Sequence, residues 1–543
     1  MITRRHLIQG SLYGLGALAL PGMAAMLNAR GFTHGVASGE PRADSLLLWT
    51  RYVAQHAERL RVEVAADTLF TRVIAEGEAF TDPARDHTAR VTVSGLAPGR
   101  WHYYRFIAPD GRISAVGRSR TLPIGEVSRF GIGLFSCSNL PFGWFNAYAH
   151  ACLRSDLDLI VHVGDYLYEY PRGDYPDART ALPERVIEPA GELITLADYH
   201  LRYACYRLDP DLQRLHQSYP MISQWDDHEI ANDAWMNGAE NHQPEREGEW
   251  SVRRELALRA YRDWMPVSDA QWTRYDIGSL ASLYKLETRL TGRSAPLDLE
   301  TALRGRKDLP AALAEFRDGP FADPARTMLG FEQERWLAEQ MRRSVQSGRA
   351  WQLLAQQTLF GDIRAPQGAE RWLAADAAEY IRRRARVGAL AAQAGLPYDF
   401  DAWGGFPAAR QRLLESSLAA KADLVVLSGD SHNAWGQNLS IAEGTRGRRP
   451  VGVEFATPSV TSPGFESLLS RAEPAELAAS LRATNPGLVF SDTARRGYVS
   501  LTLSPGEIVG RWHFLAGIRE RSTALADTYA LRARRGRRIL EAS

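Results

Sequence analysis

The chain has 543 residues, with 65 Lys and Arg against 64 Asp and Glu and a formal net charge of +1 at pH 7. Its 45% hydrophobic and 24% charged content is that of a soluble globular protein, and its length suits one large or two unequal domains. The balanced charge gives no sign of a nucleic-acid or anionic-membrane partner. Three cysteines without a CxxC pair do not indicate a disulfide framework, although a Cys152–Cys205 bridge stays an alternative to two buried thiols.

Residues 1–31 are predicted to be an export signal. The Arg4-Arg5 pair precedes an uncharged stretch, residues 11–29, that is rich in Gly, Ala and Leu, which is the layout of a secretory signal. The arginine pair indicates the twin-arginine route, whose export machinery is then an expected partner. An ordinary Sec signal or an uncleaved anchor is the alternative, although glycines and a proline weaken the stretch as a spanning helix. The mature protein is expected to be periplasmic or secreted, without a stable membrane span.

Residues 32–124 consist of short apolar segments separated by turn-like residues. Five segments are strand-like: residues 46–52, 60–66, 88–96, 100–108 and 117–123. Short strands at regular spacing predict an all-β sandwich. The stretch LAPGRWHYYRF is similar to the Leu-x-Pro-Gly-x-x-Tyr corner of fibronectin type III domains. This segment has no cluster of metal-ligating or nucleophilic residues, so we interpret it as structural.

From residue 129 to residue 543, strand-like and helix-like segments alternate, which predicts an α/β domain. The strand-like segments include residues 130–136, 157–163, 221–225, 351–360 and 424–435. The helix-like segments include residues 145–155, 197–220, 251–265, 331–348, 371–394 and 407–422. The basic tail after Gly517 is predicted to be helical, which makes it a candidate lid over the site.

Residues with ligand chemistry follow the apolar strands of this domain at five points. They are Cys137 and Asn139; Asp165 and Tyr168; Asp226, Asp227, His228 and Glu229; Gln356 and Gln357; and Asp430, His432 and Asn433. Because ligand sites in open α/β sheets lie outside the carboxyl ends of the strands, these residues are expected to share one rim. So many acids repel one another unless cations offset their charge. The pattern therefore predicts a two-metal centre in which a carboxylate bridges ions roughly 3.5–4 Å apart.

The ligand types indicate the class of metal but not its identity. A phenol, thiol, imidazole and carboxylate together suit a trivalent or borderline transition metal, whereas oxygen-only neighbours suit Ca²⁺ or Mg²⁺. Taken alone, Cys137 would be a buried thiol, Tyr168 a core tyrosine and His228 an ion-paired surface histidine. Because all three occur among the polar residues at the strand ends, we interpret Cys137 and Tyr168 as metal ligands and His228 as a functional histidine. His162 alternates within its strand and is interpreted as a core histidine.

Six segments carry a resemblance to a known family: FSCSN, VHVGDYLYE, LADYHLRYA, SQWDDHEIAND, YRDWMPV and LSGDSHNAW. On these motifs, the chain resembles the PhoD-type alkaline phosphatases, relatives of the purple acid phosphatases among the calcineurin-like metallophosphoesterases. The resemblance covers nearly the whole chain. It implies an α/β fold, a four-layer metallophosphoesterase sandwich flanked by helices, with an N-terminal all-β fibronectin III-like domain.

The resemblance also implies Fe³⁺ with Ca²⁺ as cofactors rather than zinc, and other divalent metals stay as alternatives. The iron ligands by that analogy are Cys137, Asp165, Tyr168 and His432, with Asp165 bridging. The residues facing calcium are Asp227, Asp430 and Gln357, or alternatively Gln356, with Asn232 assisting. Asp227 falls where the wider superfamily has asparagine. His228, together with Asp227, would be catalytic, contacting the phosphoryl group and protonating the leaving oxygen.

One stretch departs from the family pattern. Many members have an Asp-Thr-Arg-Gln-Tyr-Arg segment, whereas residues 287–293 here read ETRLTGR. We therefore transfer no substrate contact to Arg289 or Arg293 and interpret each as a solvated or ion-paired arginine.

The expected activity is that of an alkaline phosphatase, releasing phosphate from small phosphomonoesters through a metal-activated hydroxide. The absence of a G-x-S-x-G elbow and of a P-loop argues against a serine hydrolase and an NTPase. A phosphodiesterase or phospholipase D-like activity on the same centre is the first alternative. A non-catalytic exported binding module with a vestigial metal site is the second.

Overall fold

The computed structural model describes residues 29–443 and 447–543. The predicted export signal therefore lies almost entirely outside the described residues. Within the described ranges, no helix combines the length and the apolar composition needed to cross a bilayer.

The N-terminal part of the described chain is built from strands. They are β1 (Gly31–Gly39), β2 (Ser45–Val53), β3 (Arg59–Ala65), β4 (Val73–Phe80), β5 (Thr88–Ser94), β6 (Trp101–Ile107) and β7 (Gly117–Arg120). The five predicted strands correspond to β2, β3, β5, β6 and β7. Sequence patterns missed β1, which contains three glycines, and β4, a largely exposed edge strand with two glutamates.

These strands divide between two sheets. One sheet has the order β4-β3-β6-β7, whereas β5, β2 and β1 belong to a larger sheet that continues through the parallel pairing of β1 with β10 (Pro220–Ser223). Val62, Val64 and Phe106 are fully buried in the core between them. The N-terminal sandwich therefore shares a sheet with the α/β part, and the boundary near residue 124 stays a prediction.

The rest of the chain alternates strands and helices. The further strands are β8 (Phe130–Phe135), β9 (Leu159–His162), β11 (Thr273–Ile277), β12 (Ala281–Lys285), β13 (Trp351–Ala355), β14 (Leu424–Ser428), β15 (Ala434–Ala442), β16 (Arg448–Ala456), β17 (Leu488–Asp492), β18 (Gly497–Leu503), β19 (Glu507–Leu515), β20 (Leu525–Arg534) and β21 (Leu540–Ala542). The α-helices are α1 (Asn146–Ala151), α2 (Leu196–Arg207), α3 (Pro210–Ser218), α4 (Pro244–Glu247), α5 (Trp250–Trp264), α6 (Leu299–Leu303), α7 (Leu309–Asp318), α8 (Gly330–Gln346), α9 (Glu379–Gln393), α10 (Pro407–Ala420) and α11 (Pro474–Thr484).

Two sheets stack face to face in this part of the molecule. The large sheet has the order β21-β20-β19-β18-β8-β9-β10-β1-β2-β5, and the second has the order β11-β12-β13-β14-β16-β15-β17. Apolar side chains of both, among them Ile132, Leu353 and Val425, fill the space between them. Helices α1, α2, α3 and α5 cover the outer face of the large sheet, and α8 and α10 cover that of the second. The predicted four-layer α/β sandwich is confirmed.

Parallel pairing brings the predicted ligands to one region of the fold. Strands β8, β9 and β10 run parallel in the large sheet, and β12, β13, β14 and β16 run parallel in the second. Their carboxyl ends therefore align within each sheet. The residues that follow those ends are Cys137 after β8, Asp165 after β9, Asp227 after β10, Gln357 after β13 and Asp430 after β14.

The C-terminal tail corrects one prediction. Instead of a helix, it forms β20 and β21, which extend the large sheet beyond β19. Leu531, Ala533 and Leu540 are buried in the core between the sheets, so pairing and burial outweigh the helix propensity of the Ala- and Arg-rich sequence. The helical prediction was wrong, and the lid suggested from it loses its basis.

Two other predictions concern buried side chains. Cys152 and Cys205 are not joined in a disulfide. His162 is buried, and its Nε2 lies 2.9 Å from the Tyr148 hydroxyl, which confirms a core histidine.

Candidate metal centre

The residues that follow the strands adopt an unusual backbone conformation. Cys137, Asp430 and His432 have φ values of 60°, and Asp165 has a φ of 54°. Such left-handed conformations cost about 1–3 kcal/mol each in non-glycine residues and cluster at functional sites. Beside them, Gly164 approaches the next strand end so closely that a Cβ there would lie 2.6 Å from the backbone nitrogen of Asp226. The local backbone thus turns the polar side chains sharply away from the strand ends.

The first half of the centre, which we call the thiol half, contains Cys137, Asp165, Tyr168 and His432. Ligand atoms of Cys137, Asp165 and His432 lie within 4.8 Å of one another. The Tyr168 hydroxyl is 3.1 Å from Asp165 Oδ2 and 3.1 Å from His432 Nε2. His432 Nδ1 donates to the Pro463 carbonyl at 2.8 Å, so Nε2 is the nitrogen that faces the other ligands. The structure therefore brings together the four residues predicted as iron ligands.

The second half, which we call the carboxylate half, contains Asp165, Asp226, Asp227 and Asp430. One oxygen from each carboxylate lies within 4.8 Å of the others. Asp165 belongs to both halves, which is the position that a bridging ligand requires. Asp226 was not among the predicted ligands, although it stands directly before Asp227 in the sequence.

Unpartnered oxygen atoms show that these residues fit metal ions. Asp165 Oδ1, Asp226 Oδ2 and Asp227 Oδ1 are buried and have no hydrogen-bond partner among the described residues. A buried carboxylate oxygen without a partner is costly, and a cation would satisfy it. Burial raises the pKa of Asp226 and Asp430 well above the usual range, and repulsion from neighbouring aspartates raises both further. The cluster thus carries its full negative charge only when cations compensate it.

Arg289 lies buried among the acids of the carboxylate half. Its Nε donates to Asp226 and its Nη1 to Asp401, while its Nη2 lies 3.4 Å from Asp227 Oδ1 and 3.5 Å from Asp430 Oδ1. The residue is fully buried. Of the two interpretations left open by the sequence, ion pairing is correct and solvation is not.

Arg293 shares with Arg289 the contact to Asp401 but not the contacts to the other acids. It is also fully buried and donates through Nη2 to the Asp401 side chain. Asp401 therefore joins two arginines and connects its loop to the carboxylate half. Sequence reasoning missed it because Arg289 and Asp401 are 112 residues apart in the chain.

His228 lies beside both halves. Its Nδ1 is 2.7 Å from Glu169 Oε2, which leaves Nε2 to face the site. A ring nitrogen of His228 and oxygens of Asp165 and Asp227 lie within 4.8 Å of one another. Burial lowers the pKa of His228, but Asp227 and Glu169 outweigh it and hold the pKa well above the usual range. The geometry suits a proton donor to a substrate oxygen.

Glu169 contacts the candidate catalytic His228, and sequence reasoning assigned it no role. Its Oε1 accepts hydrogen bonds from the Asn232 backbone nitrogen and from Asn241 Nδ2, both at 2.8 Å. Its Oε2 is hydrogen-bonded to His228 Nδ1. The side chain is fully buried. Its position directly after Tyr168 in the ligand-bearing segment was the available signal.

Glu229, which the sequence placed among the polar residues at the strand ends, connects two of those ends. Its carboxylate accepts the backbone N–H groups of Asp165, Tyr166 and Asp226 at 3.1, 2.7 and 2.8 Å. It therefore ties the end of β9 to the end of β10. Burial, followed by repulsion from Asp165, raises its pKa to about 8.

Two of the predicted calcium ligands have side chains with protein partners. Asn232 donates through Nδ2 to Glu240 at 3.1 Å. Gln357 is fully buried, its Oε1 accepts from the Thr288 hydroxyl at 2.7 Å, and its Nε2 donates to the Trp225 carbonyl at 2.7 Å. The Thr288 hydroxyl is the only hydrogen-bond donor to Gln357 Oε1 among the described residues. The ligand roles of both residues stay predictions.

A four-layer α/β fold with thiol, phenol, imidazole and carboxylate groups at its strand ends defines a metal-dependent phosphoester hydrolase. Residues 130–512 match the model of the PhoD-like phosphatases, and residues 18–123 match that of the N-terminal domain of PhoD-like phosphatases. The chain is 30% identical over 524 residues to alkaline phosphatase D of Bacillus subtilis (strain 168), a match that covers 91% of this chain and 79% of the relative. It is also similar to a solved structure of PhoD, with a TM-score of 0.77, 27% identity and coverage of 95% of this chain and 92% of the other.

The chain therefore belongs to the PhoD-like phosphatase family. The resemblance predicted from the motifs is confirmed, and with it phosphoester hydrolysis. Phosphatases of this family depend on metals, and the structure contains groups able to hold them.

Proposed function

We propose that this protein is an exported alkaline phosphatase that releases phosphate from small phosphomonoesters at a two-metal centre. The observation that carries the proposal is the position of Asp165, which belongs to both halves of the centre and has an unpartnered, buried Oδ1. The name of the Bacillus relative, alkaline phosphatase D, supports the monoester reaction.

The proposed cofactors are one Fe³⁺ and one Ca²⁺. Iron would be held by Cys137, Asp165, Tyr168 and His432, because thiol, phenol and imidazole donors suit a transition metal. Calcium would be held in the carboxylate half by Asp165, Asp227 and Asp430, with Gln357 and Asn232 as further ligands, because these donors are oxygens. When bound, such ions acidify water and stabilise negative charge on the phosphoryl oxygens.

The side chains of the protein supply orientation and a proton. Glu169 fixes the His228 ring through Nδ1, so that Nε2 donates its proton to the leaving oxygen. Asp227 Oδ2 accepts the Asp233 backbone N–H at 2.7 Å, which directs Oδ1 toward the centre. The Ser462 hydroxyl donates to the Tyr168 hydroxyl at 2.7 Å and fixes that ring.

The test combines metal content with turnover. Natively exported protein is expected to contain about one iron per chain together with calcium, and to hydrolyse p-nitrophenyl phosphate faster than bis(p-nitrophenyl) phosphate. Faster hydrolysis of the diester would favour the phosphodiesterase alternative. Metal without turnover on either ester would favour the binding-module alternative.

Export is proposed from the N-terminal sequence. Arg4 and Arg5 precede an uncharged stretch, as in twin-arginine signals. We propose residues 1–31 as that signal, residues 32–124 as a structural β-sandwich domain and residues 129–543 as the catalytic domain. Replacing both arginines by lysine keeps the charge and is expected to retain the protein in the cytoplasm. Unchanged export of that variant would contradict the twin-arginine route.

A further inference from the structure

Two tyrosines beside the metal centre have no part in the chemistry described above. The Tyr170 ring centroid lies 5.4 Å from the His228 ring and 5.6 Å from the Tyr175 ring. Tyr175 in turn lies 5.7 Å from the ring of Tyr168. We call Tyr170 and Tyr175 the aromatic wall. Both are partly exposed, in contrast to Tyr168, which is buried.

Partial exposure distinguishes the aromatic wall from the tyrosines of the core. Neither hydroxyl makes a hydrogen bond with any described residue. The wall therefore offers ring faces and unused hydroxyls to the space beside His228.

The backbone beneath the wall is firmly held. The fully buried Arg202 donates to the carbonyls of Tyr168 and Tyr170, and also to that of Pro189 at 3.0 Å. Phe142 packs edge-on against Tyr175 with centroids 5.0 Å apart. A surface held in this way binds a ring at little cost in conformational entropy.

The position of His228 indicates which part of the substrate contacts the aromatic wall. If His228 protonates the leaving oxygen, the group attached to that oxygen lies next to the His228 ring. Tyr170 is in contact distance of that ring and Tyr175 extends the same surface. The alcohol portion of the substrate is therefore the part that contacts them.

We propose that the aromatic wall binds the alcohol portion of the substrate and makes the enzyme selective for phosphoesters whose leaving group carries a planar aromatic or heteroaromatic ring. This inference rests on the proposed function, because it takes the position of the leaving oxygen from His228. Rings that pack on tyrosine in tilted or offset-stacked geometry gain affinity beyond the area they bury.

Phosphonates provide the test, because their carbon–phosphorus bond removes differences in leaving-group reactivity. Phenylphosphonate and cyclohexylphosphonate, which match in size, are compared as competitive inhibitors of glycerol 2-phosphate hydrolysis by the metal-loaded enzyme. Phenylphosphonate is expected to bind about three- to ten-fold more tightly. Tyr170→Leu and Tyr175→Leu are each expected to lower this preference, and Tyr170→Phe to retain it. Tyr103→Leu, on β6 in the four-stranded sheet, is the matched control.

Equal inhibition constants for the two phosphonates, or a preference unchanged in both leucine variants, would overturn the inference. Inorganic phosphate separates this result from a failure of the proposed function. If it still competes, the phosphate site is intact and only the role of the wall is wrong. If the metal-loaded enzyme does not hydrolyse glycerol 2-phosphate at all, the proposed function fails and the inference fails with it.

Discussion

The two halves of the metal centre acquire their negative charge in different ways. In the thiol half, Asp165 is accompanied by Cys137, Tyr168 and His432, whose side chains can all be neutral. Burial, and then the Asp165 carboxylate, raise the pKa of Cys137 and of Tyr168 well above their usual ranges. This half therefore gains most of its charge only when a cation displaces protons from its ligands.

The carboxylate half differs because part of its negative charge, that of Asp227, is present before a cation binds. Asp226, Asp227 and Asp430 approach one another closely, and Arg289 offsets part of their repulsion from within the protein. Against burial, which raises it, Arg289 and then His228 lower the pKa of Asp227. A cation that enters here meets an ionised Asp227 and displaces protons from Asp226 and Asp430, whose pKa values burial raises.

This difference supports the proposed centre with two kinds of ion. A strongly polarising cation is needed to deprotonate a buried thiol and a buried phenol, whereas a weakly polarising one suffices for carboxyl groups, which are more acidic. Asp165 is the residue that couples the two requirements.

Asp165→Asn is expected to have the largest effect because it removes a ligand from both halves at once. We expect kcat/KM for phosphomonoesters to fall by at least about 10³-fold and both metals to be lost. Phosphate release and elemental analysis of the same preparation measure this. Asp376→Asn, an exposed and isosteric change, is the control. Retained activity with full metal content would show that Asp165 is not the bridge.

Cys137→Ser is expected to affect metal binding in the thiol half but not in the carboxylate half. The hydroxyl binds a ferric ion less well than a thiolate, so the variant is expected to lose iron, retain calcium and lose about 10²-fold in kcat. An Fe³⁺–Tyr168 bond gives visible absorption, so the colour of the protein is expected to disappear with the iron. The converse variant, Asp430→Asn, is expected to lose calcium first and keep the colour. A colourless, zinc-loaded wild-type enzyme with full activity would refute the iron assignment.

Arg289→Met tests the internal compensation of the carboxylate half. Removing one partner of a buried ion pair costs about 3–5 kcal/mol, so the metal-free variant should unfold at a clearly lower temperature. Because the acids then depend more on added cations, we expect Ca²⁺ to raise the Tm of the variant by more than it raises that of the wild type.

Arg293→Met is the matched control for this prediction. Arg293 is equally buried and bonds Asp401, but no contact with Asp226, Asp227 or Asp430 is among its interactions in the described chain. It should lower the Tm without enlarging the Ca²⁺-dependent shift. Equal shifts in both variants would show that Arg289 has only a packing role.

The sequence predicted some features of the metal centre and of the fold and missed others. Cys137, Asp165 and Asp430 were predictable because an apolar strand ending in a ligand residue is a local pattern, and parallel strands align their ends. The contact between Arg289 and Asp401 was not, because it joins distant segments through a loop. Strand β20 was misassigned because its pairing with β19 outweighs the helix propensity of its residues. Local patterns thus predict the rim, whereas its charge compensation depends on tertiary contacts.

The smallest effect is expected from Glu169→Gln, which tests whether a carboxylate outside both halves keeps His228 protonated. Asp227 and Glu169 together hold the pKa of His228 above its usual value. A group with a raised pKa stays protonated as the pH rises until that pKa is passed, so a proton donor here remains active into the alkaline range. Removing the charge of Glu169 lowers that pKa. The alkaline limb of the kcat/KM profile should then move to lower pH, with roughly a ten-fold loss of kcat.

Glu229→Gln provides the comparison for this profile. The Glu229 side chain is equally buried and accepts hydrogen bonds from the backbone N–H groups of Asp165, Tyr166 and Asp226, and within the described chain it makes no hydrogen bond to the His228 ring. It is expected to weaken metal binding while leaving the alkaline limb in place. If both variants shift that limb equally, the limb reports the metal centre as a whole. If only Glu169→Gln shifts it, the carboxylates beside His228 determine when the leaving oxygen receives its proton.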